Sequence, residues 1–321
     1  MSLSKRLLLL AFFSFGLAGG CMAQIKVQSG QKVAFLGDSI TQFGWDRAGG
    51  YVHLVTDCLE SGGVKIVPIP AGVSGNTSRD MLARVDASVI SKKPDWMTLS
   101  CGANDVLHAS VGTGVEFEPY KTNITAIVDK AQAAGIKVMI LTTTVLYENE
   151  TGAYNQKVAA YNDFLRQLAK ERNLPLVDLN VAFWKALKGT PRPHLTGDGI
   201  HMSPEGNMLM ARGVLEGFGV SPAQVDAFEK TWRQSPAAAS VFAQLGISAA
   251  APVSIDTYDA MPATAKKRNI SPGELESGLL FEALRTVLKA HEQDATLTPA
   301  QIQNELQTAF AQKIEEAVKT P

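Results

Sequence analysis

The 321-residue chain reads as an α/β protein built on a parallel sheet with both faces covered. Three observations predict this. From about Gln31 to Gly219, short runs rich in Val, Ile or Leu alternate with amphipathic helical stretches. The runs are short, apolar and bounded by turn residues, as in strands buried on both faces. The first of them, Val33-Ala34-Phe35-Leu36, runs straight into Gly37-Asp38-Ser39, and open α/β sheets present their chemistry at the carboxyl ends of strands.

In chain order, strands are expected at Val33 to Leu36, Val64 to Ile69, Trp96 to Ser100, Lys137 to Thr142 and Pro175 to Val177, enough for a small doubly wound sheet. Helices are expected over Tyr51 to Glu60, Ser78 to Val89, Tyr120 to Ala134, Tyr154 to Glu171 and Pro204 to Leu215. Gly62 and Gly135 suit helix stops. Ser203 suits a helix cap, with Pro204 in the first turn. Ser39 itself is read as lying in a tight polar turn.

Composition then changes. Beyond Gly219 come an Ala-rich stretch (Ala237 to Ala251), the basic run Lys266-Lys267-Arg268, and helical stretches near Pro272 to His291 and Pro299 to Val318. Leu279, Leu280, Leu284, Val287 and Leu288 share one helical face, so this part buries a stripe against something. The plain reading is a helical appendage on the core; oligomerisation or partner binding is the alternative. The division is therefore 1–23 as leader, 24–220 as the α/β domain and 221–321 as a helical extension.

The leader reading rests on Lys5 and Arg6, an apolar stretch of 11 residues from Leu7 to Leu17, and small residues up to Ala23. A membrane-spanning helix needs about 20 apolar residues, so this pattern indicates export, not a span. Cleavage after Ala23 fits. Ala18-Gly19-Gly20-Cys21 also resembles a loose bacterial lipobox, so a lipid anchor at Cys21 is the alternative to a periplasmic or secreted protein. Cys58 and Cys101 can pair in an oxidising compartment, but burial as small apolar residues is the simpler reading. A net charge of −1 with interspersed signs gives no nucleic-acid stripe and no polybasic membrane patch. The Asn-X-Ser/Thr triplets at Asn76, Asn123, Asn149 and Asn269 are read as chance.

Four segments fall at strand ends or in the loops that follow them: Gly37-Asp38-Ser39, Gly72 to Thr77, Gly102-Ala103-Asn104-Asp105 and Asp198-Gly199-Ile200-His201. Acyl transfer needs a nucleophilic hydroxyl, an imidazole to take its proton, a carboxylate to fix the imidazole, and donors where the oxyanion develops. Ser39, His201, Asp198, and Gly75 with Asn104 supply that set. Asp198 and His201 stand three apart in a glycine-containing loop, within reach of one another. Gly75 lets the backbone turn an N–H toward the oxyanion, and Asn104 offers an amide from a strand end.

In this order and at these separations, the four segments resemble the signature blocks of the SGNH/GDSL hydrolases over about Val33 to Val214. The resemblance implies a flavodoxin-like three-layer α/β/α sandwich around a five-stranded parallel sheet. It implies Ser39 as nucleophile, Asp198 and His201 as the rest of the triad, and an oxyanion hole from the Ser39 N–H, Gly75 and Asn104. No metal or organic cofactor is implied. One departure is Pro70, where the family often has an asparagine five residues before the block-two glycine. An exported esterase acting on carboxylic esters follows, with carbohydrate O-deacetylation first and a lysophospholipase or short-chain lipid esterase second. The partner would be a small-molecule or polysaccharide ester. A catalytically idle carbohydrate-binding or scaffold module is the reading of a different class.

Other residues have plainer readings. His53, His108 and His291 read as surface or loop histidines, and His194 with Asp198 and His201 as a metal cluster is less economical than a Ser39-directed His201. Asp38 and Asp105 read as turn and loop supports. Tyr147, Trp184, Trp45 and His108 fall in loops near the sheet's carboxyl edge, where an acyl or sugar group can stack. The segment Val111-Gly112-Thr113-Gly114 has the glycine content of a mobile loop that shapes a pocket.

Overall fold

The computed structural model describes residues 25–47, 49–189, 195–233, 260–268 and 299–319, with isolated positions between 257 and 290. Five parallel strands form one sheet: β1 (Lys32–Gly37), β2 (Val67–Gly72), β3 (Trp96–Ser100), β4 (Lys137–Leu141) and β5 (Leu176–Val177), in the order β2-β1-β3-β4-β5. The chain moves to one side of β1 first and then to the other. This order opens a crevice between the carboxyl ends of β1 and β3, the switch point where ligands bind in such sheets.

The helices are α1 (Ser39–Asp46), α2 (Tyr51–Ser61), α3 (Ser78–Ser88), α4 (Ala103–Leu107), α5 (Phe117–Ala133), α6 (Ala153–Glu171), α7 (Leu179–Leu187), α8 (Pro204–Gly217), α9 (Pro222–Arg233), α10 (Met261–Lys267) and α11 (Pro299–Lys319). Side chains alternate across each strand. Val33, Phe35, Trp96, Met139 and Leu141 therefore meet the apolar residues of α2, α7 and α8, whereas Ala34, Leu36, Met97, Leu99, Val138 and Ile140 meet α3, α5 and α6. Three layers result. Cys58 belongs to the first cluster and Cys101 to the second, so the sheet separates the two thiols and both are free.

Four expectations need correction. β2 begins at Val67, not Val64, because Val64 and Lys65 form a lead-in tied to Leu59 and Ser29. Pro68 and Pro70 lie within this strand, two residues apart, so both turn their donor-less nitrogens to one side. That is tolerable here because β2 is an edge strand. The serine lies in a helix, α1, and not in a turn. The short helix α4 and the helix α7 were also not foreseen. Ser203 caps α8 by accepting from the Gly206 N–H at 3.1 Å, with Pro204 in the first turn, as read from the sequence.

Toward the C terminus, buried Val225 and Trp232 of α9, Met261 and Ala265 of α10, and Phe310 and Ile314 of α11 join the cluster that holds α8. Of the stretch expected near Pro272 to His291, the described positions, among them Leu275, Leu279, Ala283 and Val287, are helical. The leader with Cys21, the Ala-rich stretch, His194, Asn269 and His291 lie outside the described residues. Among the described residues, no helix is long and apolar enough to cross a membrane.

Buried Asn162 of α6 holds the end of β4 in place. Its Oδ1 accepts from the Thr143 N–H at 2.8 Å and its Nδ2 donates to the Thr143 carbonyl at 2.9 Å. Asn162→Ala leaves both backbone groups unpaired in the interior. The expected loss is about 3 kcal/mol of unfolding free energy, measured by urea denaturation of the two proteins.

Candidate active site

Ser39 leaves the carboxyl end of β1 as the first residue of α1. Asp38 is the N-cap, its Oδ1 accepting from the Ile40 N–H at 2.9 Å. A Cβ on Gly37 would lie 2.0 Å from Thr41 Oγ1, and one on Gly72 would lie 2.2 Å from the Gln42 nitrogen. Only glycines let the first turn of α1 settle this closely on the ends of β1 and β2. The first-turn amides of a helix have no intrahelical acceptor, so the Ser39 N–H is available to a ligand.

His201 comes from the other end of the domain. An antiparallel bridge between Thr196 and Met202 closes a hairpin, with the Gly197 N–H donating to the His201 carbonyl at 2.9 Å. Within the hairpin, Asp198 Oδ1 accepts from the Ile200 and His201 backbone N–H groups at 2.9 and 2.7 Å, while Oδ2 meets His201 Nδ1 at 2.6 Å. His201 Nε2 lies 2.9 Å from Ser39 Oγ. The Phe43 ring packs against the imidazole at 4.8 Å between centroids. Asn207 of α8 anchors the hairpin's end. Its Nδ2 donates to the Met202 and Ser203 carbonyls, and its Oδ1 accepts from the Tyr51 N–H at 2.8 Å.

Gly75 adopts a left-handed φ of 78°, with open space where a side chain would stand. It is the backbone conformation, and not crowding by the protein, that calls for glycine. Asn104 lies in α4, one residue inside it, instead of at a bare strand end. Its Nδ2 donates to the Asn76 carbonyl at 3.0 Å, and because an amide carries two N–H groups, one remains for another acceptor. Among the described residues, nothing accepts from the backbone N–H of Ser39 or Gly75. The backbone N–H groups of Ser39 and Gly75 and one N–H of Asn104 Nδ2 are thus uncommitted.

Sequence reasoning missed Arg84. From α3 it donates through Nη2 to the Gly37 and Ala71 carbonyls, both at 2.9 Å, and through Nε to Asn76 Oδ1 at 2.5 Å. One guanidinium therefore joins the ends of β1 and β2 to the loop that carries Gly75. The corner near Pro70 is tied by this arginine. Its spacing from Met81, three residues on the same helical face, was the available signal: a charge on a face directed at the sheet. Glu148 was missed as well. Its Oε1 accepts from the Leu195 N–H, the Thr196 N–H and the Thr196 hydroxyl at 2.8 to 2.9 Å, bracing the start of the hairpin.

The carboxyl groups divide by environment. Partial burial pushes Asp198 up, but hydrogen bonds from the His201 ring and the His201 and Ile200 N–H groups outweigh it and hold the carboxyl below its ordinary range. Full burial pushes Asp38 up to about 6, against the opposing Ile40 N–H and with the charge of Asp105 adding to the rise. Burial likewise raises Asp105, although it accepts from the Ser78 N–H at the start of α3 at 2.9 Å. Asp105 thereby links α4 to α3. Burial and Asp105 together raise the Cys101 thiol well above its usual value, so it is a poor nucleophile.

The remaining candidates are distributed differently. Trp45 stacks on His53 at 4.7 Å, occupying both rings with each other. His108 opens a short turn, and Val111 to Gly114 fold back on it. The Thr113 N–H donates to the His108 carbonyl, and a Cβ on Gly114 would meet the Ala109 nitrogen at 2.4 Å. Tyr147 remains half exposed. Among the described residues, no group of three or more His, Cys, Asp or Glu side chains is arranged to hold a metal ion.

Known proteins resemble this chain over its α/β part. The GDSL-like Lipase/Acylhydrolase family model matches residues 35–209, more than half of the chain. An acetylxylan esterase from Geobacillus stearothermophilus is 31% identical over 214 residues, covering 61% of this chain and 97% of that protein. Its crystal structure superposes with a TM-score of 0.56 at 30% identity, over the same shares of the two chains. Solved structures of that esterase include variants described as catalytic, in which a histidine, a serine or an aspartate is replaced by alanine. The lipoprotein YqeF of Bacillus subtilis, described as uncharacterized, is 25% identical over 219 residues, covering 58% of this chain and 89% of that one.

The raised Asp38 carboxyl has a consequence for stability. A folded pKa of about 6 against an unfolded 3.8 means that the native state holds the proton longer, so this group's contribution falls as pH rises through that window. Between pH 4 and pH 7, the wild-type protein should lose about 2 kcal/mol of unfolding free energy that Asp38→Asn retains. Urea denaturation of both proteins at the two pH values measures this; parallel pH profiles would contradict it.

Proposed function

We propose that this chain, which belongs to the GDSL-like lipase/acylhydrolase family, removes acetyl groups from carbohydrate. As a member of that family it is a serine hydrolase acting on ester bonds. The observation that carries the assignment is the hydrogen-bond run from Asp198 through His201 to Ser39, beside three uncommitted donors. The acetylxylan esterase relative, with its serine, histidine and aspartate variants described as catalytic, supports the choice of acetylated sugar.

In this mechanism His201 Nε2 takes the Ser39 Oγ proton as the oxygen attacks the acetyl carbonyl. Asp198 holds the Nδ1–H and stabilises the imidazolium. The oxyanion receives the Ser39 and Gly75 N–H groups and the free N–H of Asn104 Nδ2. Collapse breaks the ester C–O bond, and the imidazolium protonates the departing sugar oxygen, which leaves as a hydroxyl. Water, deprotonated by His201, then attacks the acyl-enzyme, and acetate leaves with Ser39 reprotonated. Partial exposure of the Asp198–His201 pair, whose side chains are 49% and 25% accessible, leaves water a route to the acyl-enzyme.

We further propose an exported protein, on the strength of the charged and apolar leader over residues 1–23, with the α/β domain at 24–220 and the helical extension at 221–321. Lipid attachment at Cys21 is the second reading. The lipoprotein relative favours it.

Ser39→Ala and His201→Ala should each lower kcat on 4-nitrophenyl acetate by at least about 10⁴-fold with an unchanged melting curve. Asn104→Ala should lower kcat by about 10²-fold with little change in KM. Arg84→Lys keeps the charge but not the three-way tie, and should reduce kcat by about tenfold through the displaced Gly75 loop. Acetate release from acetylated xylan, beside hydrolysis of longer acyl esters, tests the substrate. A preference for long acyl chains would replace the deacetylase reading with a lipid esterase.

A further inference from the structure

Tyr147 and Glu148 both hold left-handed backbone conformations, with φ of 54° and 48°. Each costs about 1–2 kcal/mol for a residue with a side chain. Such strain persists only where the surroundings over-determine it. Here Asn155 of α6 grips the Leu146 N–H and carbonyl at 2.9 and 2.6 Å, and the Tyr147 N–H donates to the Gly199 carbonyl at 2.5 Å. Glu148 braces Leu195 and Thr196 on the same hairpin. The Tyr147 ring lies directly on Gly199, where an added Cβ would come within 2.4 Å of it, and it leans on Tyr154 at 5.7 Å.

Despite these ties Tyr147 is 50% accessible, and among the described residues it is the exposed Phe, Tyr or Trp. This ring is exposed although its backbone and its contact with Gly199 hold it in place. It is fixed to the residue between Asp198 and His201. A groove begins at the next residue, lined mainly by polar side chains, among them Glu148, Asn149, Thr151 and Lys188, with Trp184 and Leu187 as its apolar part. Aromatic faces with convergent polar groups suit a pyranose, whose C–H faces stack on a ring while its hydroxyls take hydrogen bonds.

We propose that Tyr147 is the stacking platform of a sugar subsite, and that the groove beyond it receives further units of an O-acetylated pyranose chain. This rests on the deacetylase reading above. Gly199 allows the ring to sit flush with the hairpin, so the platform and His201 keep a fixed relation as substrate binds. Specificity for sugar esters over simple esters then comes from Tyr147, while the ester chemistry stays with Ser39 and His201.

Binding is tested apart from turnover. Calorimetric titration of the Ser39→Ala protein with an acetylated xylooligosaccharide should show an affinity that falls about tenfold, or 1.4 kcal/mol, when Tyr147→Ala is added. Tyr147→Phe in the same background, with a matching melting curve, should retain it. In the active enzyme, Tyr147→Ala should lower the ratio of kcat/KM on that oligosaccharide to kcat/KM on 4-nitrophenyl acetate by about tenfold. Equal affinity in Tyr147→Ala, an equal loss in Tyr147→Phe, no binding at all, or an unchanged ratio would overturn the subsite. Tyr147-dependent binding without acetate release by the wild-type enzyme would support the subsite and overturn the deacetylase reading alone.

Discussion

The site depends on how closely a helix can approach the end of a sheet. α1 begins within one residue of β1, and its first turn presses on backbone where Gly37 and Gly72 have no side chains. This contact turns the Ser39 hydroxyl out over the crevice while keeping its N–H at the open end of a helix. It also buries Asp38, which must cap that helix without water. A raised carboxyl next to Ser39 is thus a by-product of the same close packing that positions the serine.

Around this corner, the functional groups are supported from outside their own segments. Arg84 reaches from α3 to the ends of two strands and to Asn76, whose carbonyl in turn orients Asn104. The hairpin of Asp198 and His201 is held on one side by Asn207 and on the other by the strained pair Tyr147 and Glu148. A hydroxyl, an imidazole and a carboxylate on three flexible side chains would not keep hydrogen-bond distances unaided. The supports are mostly side chains bonded to backbone, which fixes the loops as well as the groups they carry.

Much of this was legible in the sequence, and the exceptions have physical causes. β1, β3 and β4 announce themselves because strands buried on both faces must be apolar throughout. β2 was placed three residues early because Val64, Lys65 and Ile66 carry the same apolar pattern into the strand, and only the open edge of the sheet makes its two prolines acceptable. α1 was hidden by Gly-Asp-Ser, whose turn chemistry is identical to that of a helix cap. Ser39, Asp198 and His201 were singled out from the chemistry of their segments, and the structure brings these three within hydrogen-bond distance of one another. Arg84 and Glu148 were not named, because they act mainly through backbone groups whose positions exist only once the chain has folded; for Arg84 its place on a sheet-facing helical face was the one sign.

The 162-residue separation between Ser39 and His201 also governs when the protein becomes competent. Contacts between distant parts of a chain close late, after local structure has formed. Ser39, Gly75 and Asn104 all belong to the first third of the sequence and can be assembled by the sheet's early strands. The His201 imidazole arrives only with the hairpin before α8, fastened to α2 through Asn207 and Tyr51. Under the proposed mechanism, the oxyanion donors are therefore in place before the imidazole that activates the hydroxyl, and reactivity appears in one late docking step.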